Sequence, residues 1–265
     1  MKRLFLCFIV LCGGFLYSDG GPDCMIIGAE KSGTTALSIF LSKHPDVCDE
    51  WRELYFYNSN FHMGKEWYQR QIQKRSGGKF VCHKNPNNLF MPHIPERVHS
   101  FYPDMKLIVL LRNPVDRAYS GYQMAKARGW VKCSFEEELQ MEERLLKSRQ
   151  KRMLSNPTEF WRRHYRKAHR TRGIYVDQVG RWFDYFPREQ FLFLSFEEFL
   201  RSPETTMKKV FHFLGLKEHE MEYPSCERNY PEMAPETRAK LVEFYRPYNE
   251  ELEELLDMKF NWEKS

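Results

Sequence analysis

The chain has 265 residues, 42% of them apolar, and a formal net charge of +5. That is enough for one substantial core and requires no second domain, and no internal repeat or low-complexity segment interrupts it. The charge is local: ten Lys or Arg stand against the single acid Glu159 between Lys147 and Arg172, while the rest of the chain is slightly acidic. A local basic stretch points to an anionic partner at one surface rather than to a chain that is cationic throughout.

Met1-Lys2-Arg3 followed by the mostly apolar run Leu4 to Tyr17 reads as a secretory leader. The run is shorter than the roughly 20 apolar residues of a bilayer span. A cleaved signal peptide and a short uncleaved signal anchor both fit residues 1–22. The expectation is therefore a protein of the secretory pathway, luminal or secreted, with membrane association through the leader if it is retained. Residues 23–265 are then one domain.

The apolar run from Cys24 breaks at Gly28-Ala-Glu-Lys31-Ser32-Gly33-Thr34-Thr35 and continues as a helix to Lys43, which His44-Pro45 ends. A strand, a glycine-bounded loop and a helix N-terminus are the parts of a phosphate cradle: glycines allow the turn and helix amides point at the anion. Lys31 adds mobile positive charge, and Ser32, Thr34 and Thr35 add hydroxyl donors. The two glycines keep the four-residue gap of the P-loop, but Thr34 stands where its lysine belongs, which argues against nucleoside-triphosphate chemistry.

Val47 to Asn58 reads as a loop across the top of a sheet, Trp67 to Gln73 as a short helix, and Lys79 to Cys82 as a second strand ending at His83-Lys84-Asn85-Pro86. Lys106 to Leu111 is a continuous apolar run, as expected of a strand buried on both faces. It ends at Arg112-Asn113-Pro114 and leads into a helix through Tyr122. Helices follow over Phe135–Arg149 and Ile174–Phe186, then a strand over Gln190–Ser195. Further helices cover Phe196–Leu200, Glu204–Leu214 and Pro235–Leu256. The alternation predicts an α/β fold: a single domain with a central parallel sheet flanked by helices. Of the five cysteines beyond the leader, Cys24, Cys48, Cys82, Cys133 and Cys226, no spacing resembles a zinc site or a redox pair, and free thiols or one or two disulfides both fit.

In an open α/β sheet ligands sit outside the carboxyl ends of strands, so Arg112 and the Lys31 loop are expected to open onto one crevice. Arg112 can grip a phosphate with two N–H groups, and Ser120, two helical turns on, can add a hydroxyl. Two phosphate grips imply a nucleotide phosphorylated at two places.

These motifs resemble the sulfotransferases that use 3′-phosphoadenylyl sulfate, and among them the Golgi enzymes that sulfate glycosaminoglycans. The resemblance runs from about Cys24 to Trp262 and implies a P-loop-like sulfotransferase fold. Gly28 to Leu37 is similar to the family's 5′-phosphosulfate loop, and Leu111 to Ser120 to its 3′-phosphate motif, with Arg112 and Ser120 as ligands. Glu53-Leu-Tyr-Phe-Tyr-Asn58 with Gly64-Lys-Glu-Trp-Tyr68 is similar to the heparan sulfate sulfotransferases, which makes Glu53 the candidate base. Only the resemblance raises it above Asp49 and Glu50. Lys31 and Lys84 are the candidate stabilisers of the transferring group, while His83, on the opposite face of an alternating strand, is structural. Gly173-Ile174-Tyr175 also resembles the family.

The segment Glu227-Arg228 to Met233 is shorter than the glycine-lysine-rich cover of the heparan enzymes and leaves Arg228 to do part of its work. With Pro235 to Arg238 and Phe244 to Asn249 it is closer to chondroitin-type enzymes. The resemblance implies a metal-independent transfer to an anionic glycan and no nucleic-acid partner. The basic stretch with Trp161 and Tyr165 is either a polyanion groove or a solvated helix face. A tyrosine or small-molecule acceptor, a silent glycan-binding protein and a P-loop kinase are the other classes considered.

Overall fold

A strand with apolar side chains on both faces needs cover on both faces, and that requirement sets the architecture. The computed structural model describes residues 20–48, 53–224 and 231–262. At its centre lie β1 (Cys24–Gly28) and β3 (Lys106–Leu111), flanked by β2 (Cys82–Lys84) and β4 (Phe191–Ser195), all parallel in the order β2-β1-β3-β4. Side chains alternate across the pleat. Met25 and Ile27 with Leu107, Val109 and Leu111 enter one core, while Cys24 and Ile26 with Ile108 and Leu110 enter the other.

The first core is the larger and aromatic. It gathers Phe56, Tyr57 and Tyr68 of the segment above the sheet, α3 (Ile94–Phe101), Trp161, α7 (Tyr175–Phe183) and the C-terminal Phe260 and Trp262. The second is closed by α1 (Thr34–Ser42) and α9 (Pro203–Leu214). A third, smaller cluster joins α4 (Pro114–Ala127) to α10 (Pro235–Leu256) through Val115, Tyr122, Leu241 and Tyr245. The remaining helices are α2 (Lys65–Ser76), α5 (Phe135–Ser155), α6 (Pro157–His164) and α8 (Phe196–Arg201).

The second strand lies at Cys82–Lys84 rather than Lys79–Cys82; only an isolated bridge from Phe80 to Val47 precedes it. Pairing with Cys24, Met25 and Ile26 holds it there, which makes Lys84 its last residue. Helix α3 was not expected. It is one short amphipathic stretch with Pro95 in its first turn and no side-chain cap, so neither length nor capping marks it. Helix α5 runs past the expected end at Arg149, but that residue carries non-helical angles and kinks it. Cys24, Cys82 and Cys133 are free thiols, and Cys226 lies outside the described residues.

Strand order reverses at β1, whose neighbours β2 and β3 follow it on opposite sides, so the carboxyl ends of β1 and β3 open the crevice that such a switch creates. Gly28 ends β1 there against the chain that follows β2. A Cβ at Gly28 would stand 2.5 Å from Leu89 Cβ, and Leu89 N donates to Ile27 O at 2.8 Å. Gly28→Ala is therefore expected to cost about 1–3 kcal/mol of stability by overpacking. Leu89→Ala should not rescue it, since the Cβ remains; a melting temperature restored in the double variant would contradict this account.

Candidate active site

The loop after β1 is shaped by its backbone. Ala29 N donates to Leu110 O at 2.8 Å and Ser32 N to Ala29 O at 3.2 Å, which ties the loop to β3 and closes it on itself. Lys31 (φ 73°) and Gly33 (φ 83°) both adopt left-handed angles. At Gly33 a Cβ would also meet the Phe196 ring at 2.8 Å. Gly33 caps α1 without a side-chain acceptor, so the first amides of the helix face the loop without a side-chain cap. Ser32 and Thr34 are buried and Thr35 is exposed at the loop's end.

Arg112, at the end of β3, comes to the same place: its Nη1 donates to Lys31 O at 3.2 Å and its guanidinium lies 4.8 Å from the Phe196 ring centre. Tyr175 OH holds the Arg112 carbonyl at 3.0 Å. Asn113 caps α4 through Val115 N, and Asn113 N donates to Glu197 Oε1 at 2.8 Å. Glu197 also accepts from Trp262 Nε1 at 3.1 Å, so the C-terminal segment is fastened under this turn. Ser120 is buried two turns along α4. The loop after β1 and Arg112 therefore meet at the ends of β1 and β3.

Glu53 reaches the site from the segment above the sheet. Its Oε1 stands 3.0 Å from Lys84 Nζ, and Lys84 Nζ also donates to Thr35 Oγ1 at 3.1 Å. Lys84 is buried, so this ammonium joins the candidate base to the start of α1 from the protein side. Asp49 and Glu50, the acids weighed against Glu53, lie outside the described residues.

Tyr55 was not singled out from the sequence. Its hydroxyl donates to Glu53 Oε2 at 2.5 Å, and its backbone is left-handed at φ 48°. Three amides, Asn58, Ser59 and Asn60, converge on the Tyr55 carbonyl and hold that turn. Burial, then the bond to Glu53, pushes the phenol well above its ordinary range, so it stays a donor to the carboxylate.

The neighbouring strand residue points the other way. His83 Nδ1 and Tyr68 OH share a hydrogen bond of 2.5 Å on the core side, as the alternation of β2 requires.

Arg228 lies outside the described residues. Of Gly173-Ile174-Tyr175, Tyr175 reaches the site through its hydrogen bond to the Arg112 carbonyl. The basic stretch divides between a concavity lined by Lys147, Arg149 and Lys167 with Arg144 and side chains that turn elsewhere. Trp161 is buried against Phe90, Arg172 is buried, and Arg162 and Arg163 both pair with Glu159. Among the described residues no group of three or more His, Cys, Asp or Glu stands together as metal ligands.

The family comparison agrees with this geometry: the sulfotransferase domain matches residues 21–245. The chain belongs to the sulfotransferase family. It is 30% identical over 267 residues to the human protein described as heparan sulfate glucosamine 3-O-sulfotransferase 6, covering 91% of this chain and 73% of that one. It is 29% identical to the mouse bifunctional heparan sulfate N-deacetylase/N-sulfotransferase 3, spanning only 30% of that longer protein. A sulfotransferase crystal structure from Alicyclobacillus acidocaldarius superposes with a TM-score of 0.75 at 29% identity, covering 92% of this chain and 99% of that one. The sulfotransferase has the parallel α/β sheet expected from its sequence.

Burial first, then Lys84, holds His83 at a pKa of about 4 against 6.5 for the free side chain. The folded state thus keeps His83 neutral where the unfolded chain protonates. The contribution is present above pH 6.5 and is lost as pH falls through 4. His83→Gln should flatten the acid limb by about 1.4 kcal/mol per pH unit across that window. Urea unfolding at several pH values measures it, and an unchanged slope would remove His83 from the acid response.

Proposed function

We propose that this sulfotransferase moves a sulfuryl group from 3′-phosphoadenylyl sulfate to a hydroxyl or amine of a glycosaminoglycan of the heparan sulfate type. The observation that carries the reading is the ammonium of Lys84 set between Glu53 and Thr35. When bound, the donor nucleotide supplies an activated sulfuryl group on a phosphate leaving group. Lys31, Ser32, Gly33, Thr34 and Thr35 would hold the 5′ end, and Arg112 and Ser120 the 3′-phosphate. Arg228 is added on the family resemblance alone. The cradle fits such a group: Gly28 and Gly33 stand where a Cβ would clash, and the α1 amides are not taken by a side-chain cap.

Glu53 would take the proton of the acceptor as its oxygen or nitrogen attacks sulfur and the bond from sulfur to the phosphate oxygen breaks. Lys84 has three N–H donors and its two contacts among the described residues use two, so a third would serve an oxygen of the transferring group. Lys31 would offset charge on the leaving phosphate. The proposed chemistry calls on no metal ion.

Two of the relatives named above carry heparan sulfate in their descriptions, which favours that acceptor over the chondroitin type. An exposed basic and aromatic cluster supports an anionic chain. The guanidinium carbons of Arg128 and Arg166 lie 4.8 and 4.6 Å from the ring centre of Trp130, and Arg166 Nε donates to Tyr165 OH at 3.1 Å. The relatives also favour the secretory pathway, with residues 1–22 as its leader and 23–265 as the catalytic domain. Among the described residues no helix is long and apolar enough to cross a membrane.

Glu53→Gln keeps the shape and removes the base, so transfer should fall at least about 100-fold while binding of 3′-phosphoadenosine 5′-phosphate stays near wild type. Transfer at the wild-type rate would remove Glu53 from the mechanism. Tyr55→Phe should lower kcat by about tenfold with the donor KM little changed, since it removes one hydrogen bond to a charged group. A rise in donor KM alone would contradict its place on the base.

A further inference from the structure

Glu30 is out of place by simple electrostatics, because it puts a negative charge inside a loop built to receive an anion. Its carboxylate Oε2 meets Arg172 Nη1 at 2.9 Å. Burial acts to raise the Glu30 pKa, yet Arg172, and after it Arg117, Lys31 and His169, hold the group below its ordinary range. The acid is therefore ionised and compensated within the protein. The other arm of the same guanidinium, Nη2, donates to Asn87 Oδ1 at 2.5 Å. Asn87 stands three residues after Lys84, and its own amide is held by Asn85 Oδ1 at 3.2 Å. The guanidinium lies 5.1 Å from the Phe90 ring centre and is buried. Gln178 Nε2 fastens the Arg172 carbonyl at 3.0 Å.

We propose that Arg172 is a positioning residue that fixes the loop bearing Lys31 against the loop that follows Lys84 and cancels the charge of Glu30 beside the donor's phosphates. Arg172 places one arm of a rigid planar fork on a carboxylate and the other on an amide, a fixed angle that the rotating ammonium of a lysine at this position would not supply. The inference rests on the sulfuryl-transfer reading of this site. It concerns the donor side alone: Arg172 reaches the chemistry only through Glu30 and Asn87.

The test is binding of 3′-phosphoadenosine 5′-phosphate by calorimetry, beside donor and acceptor KM and melting temperature. Arg172→Gln takes away the largest compensation of the Glu30 charge and should weaken nucleotide binding and raise donor KM by about tenfold or more, with acceptor KM little changed. Adding Glu30→Gln removes the stranded charge and should recover most of the lost affinity, a rescue that a merely structural role would not give. Arg172→Lys keeps the charge but only one of the two contacts, so donor affinity should fall several-fold even if Arg172→Gln does not fold. Wild-type affinity in Arg172→Lys, or a folded Arg172→Gln that Glu30→Gln fails to rescue, overturns the inference. A wild-type protein that does not bind the nucleotide overturns the donor reading and this inference with it. Normal wild-type binding with an unaffected Arg172→Gln overturns the inference alone.

Discussion

The site depends on one buried ammonium. Lys84 closes the short strand β2 with its side chain on the face away from His83, and there it meets both Glu53 Oε1 and Thr35 Oγ1. A buried cation without a partner would be costly, and a pair broken on one side would strand the other charge. The contact therefore constrains the segment above the sheet, the end of β2 and the start of α1 together. The three come from distant parts of the sequence, and a single charge sets their mutual position.

Around that contact the fold supplies anion chemistry from backbone and scaffold. The switch in strand order places the ends of β1 and β3 side by side, so the glycine loop and Arg112 meet without a second domain. Close approach forces Gly28, since Leu89 leaves no room for a Cβ. The turn after β3 is held in turn by Glu197 and Trp262, so the far end of the described chain supports the crevice. Arg112 lies against this ordered loop, and in the proposed reaction pre-set donors of this kind would stabilise developing charge without reorganising.

Much of this was legible in the sequence because the signals are local. The run Lys106 to Leu111 announces a doubly buried strand, and Gly28 to Thr35 announces its loop, because period, glycine spacing and helix start all lie within a few residues. The alternation of β2 likewise gives opposite faces to His83 and Lys84. What was not legible depends on long-range partners. Nothing near Tyr55 says that its phenol meets Glu53; the left-handed turn that aims it becomes visible only with its three converging amides. The inward turns within the basic stretch were hidden for the same reason. Charge count cannot show that Arg172 turns inward to Glu30 while Arg162 and Arg163 pair with Glu159. Helix α3 escaped because its burial, not its capping, holds it.

The most direct measurement is transfer of labelled sulfate from 3′-phosphoadenylyl sulfate to heparan sulfate, chondroitin, dermatan and desulfated heparan chains, with a tyrosine peptide and a small phenol in parallel. The account predicts label on the heparan-type chains, dependent on the nucleotide donor. Label confined to the peptide or the phenol would contradict the acceptor, and bound nucleotide with no transfer to any of them would contradict the claim that Glu53 and Lys84 form a working centre.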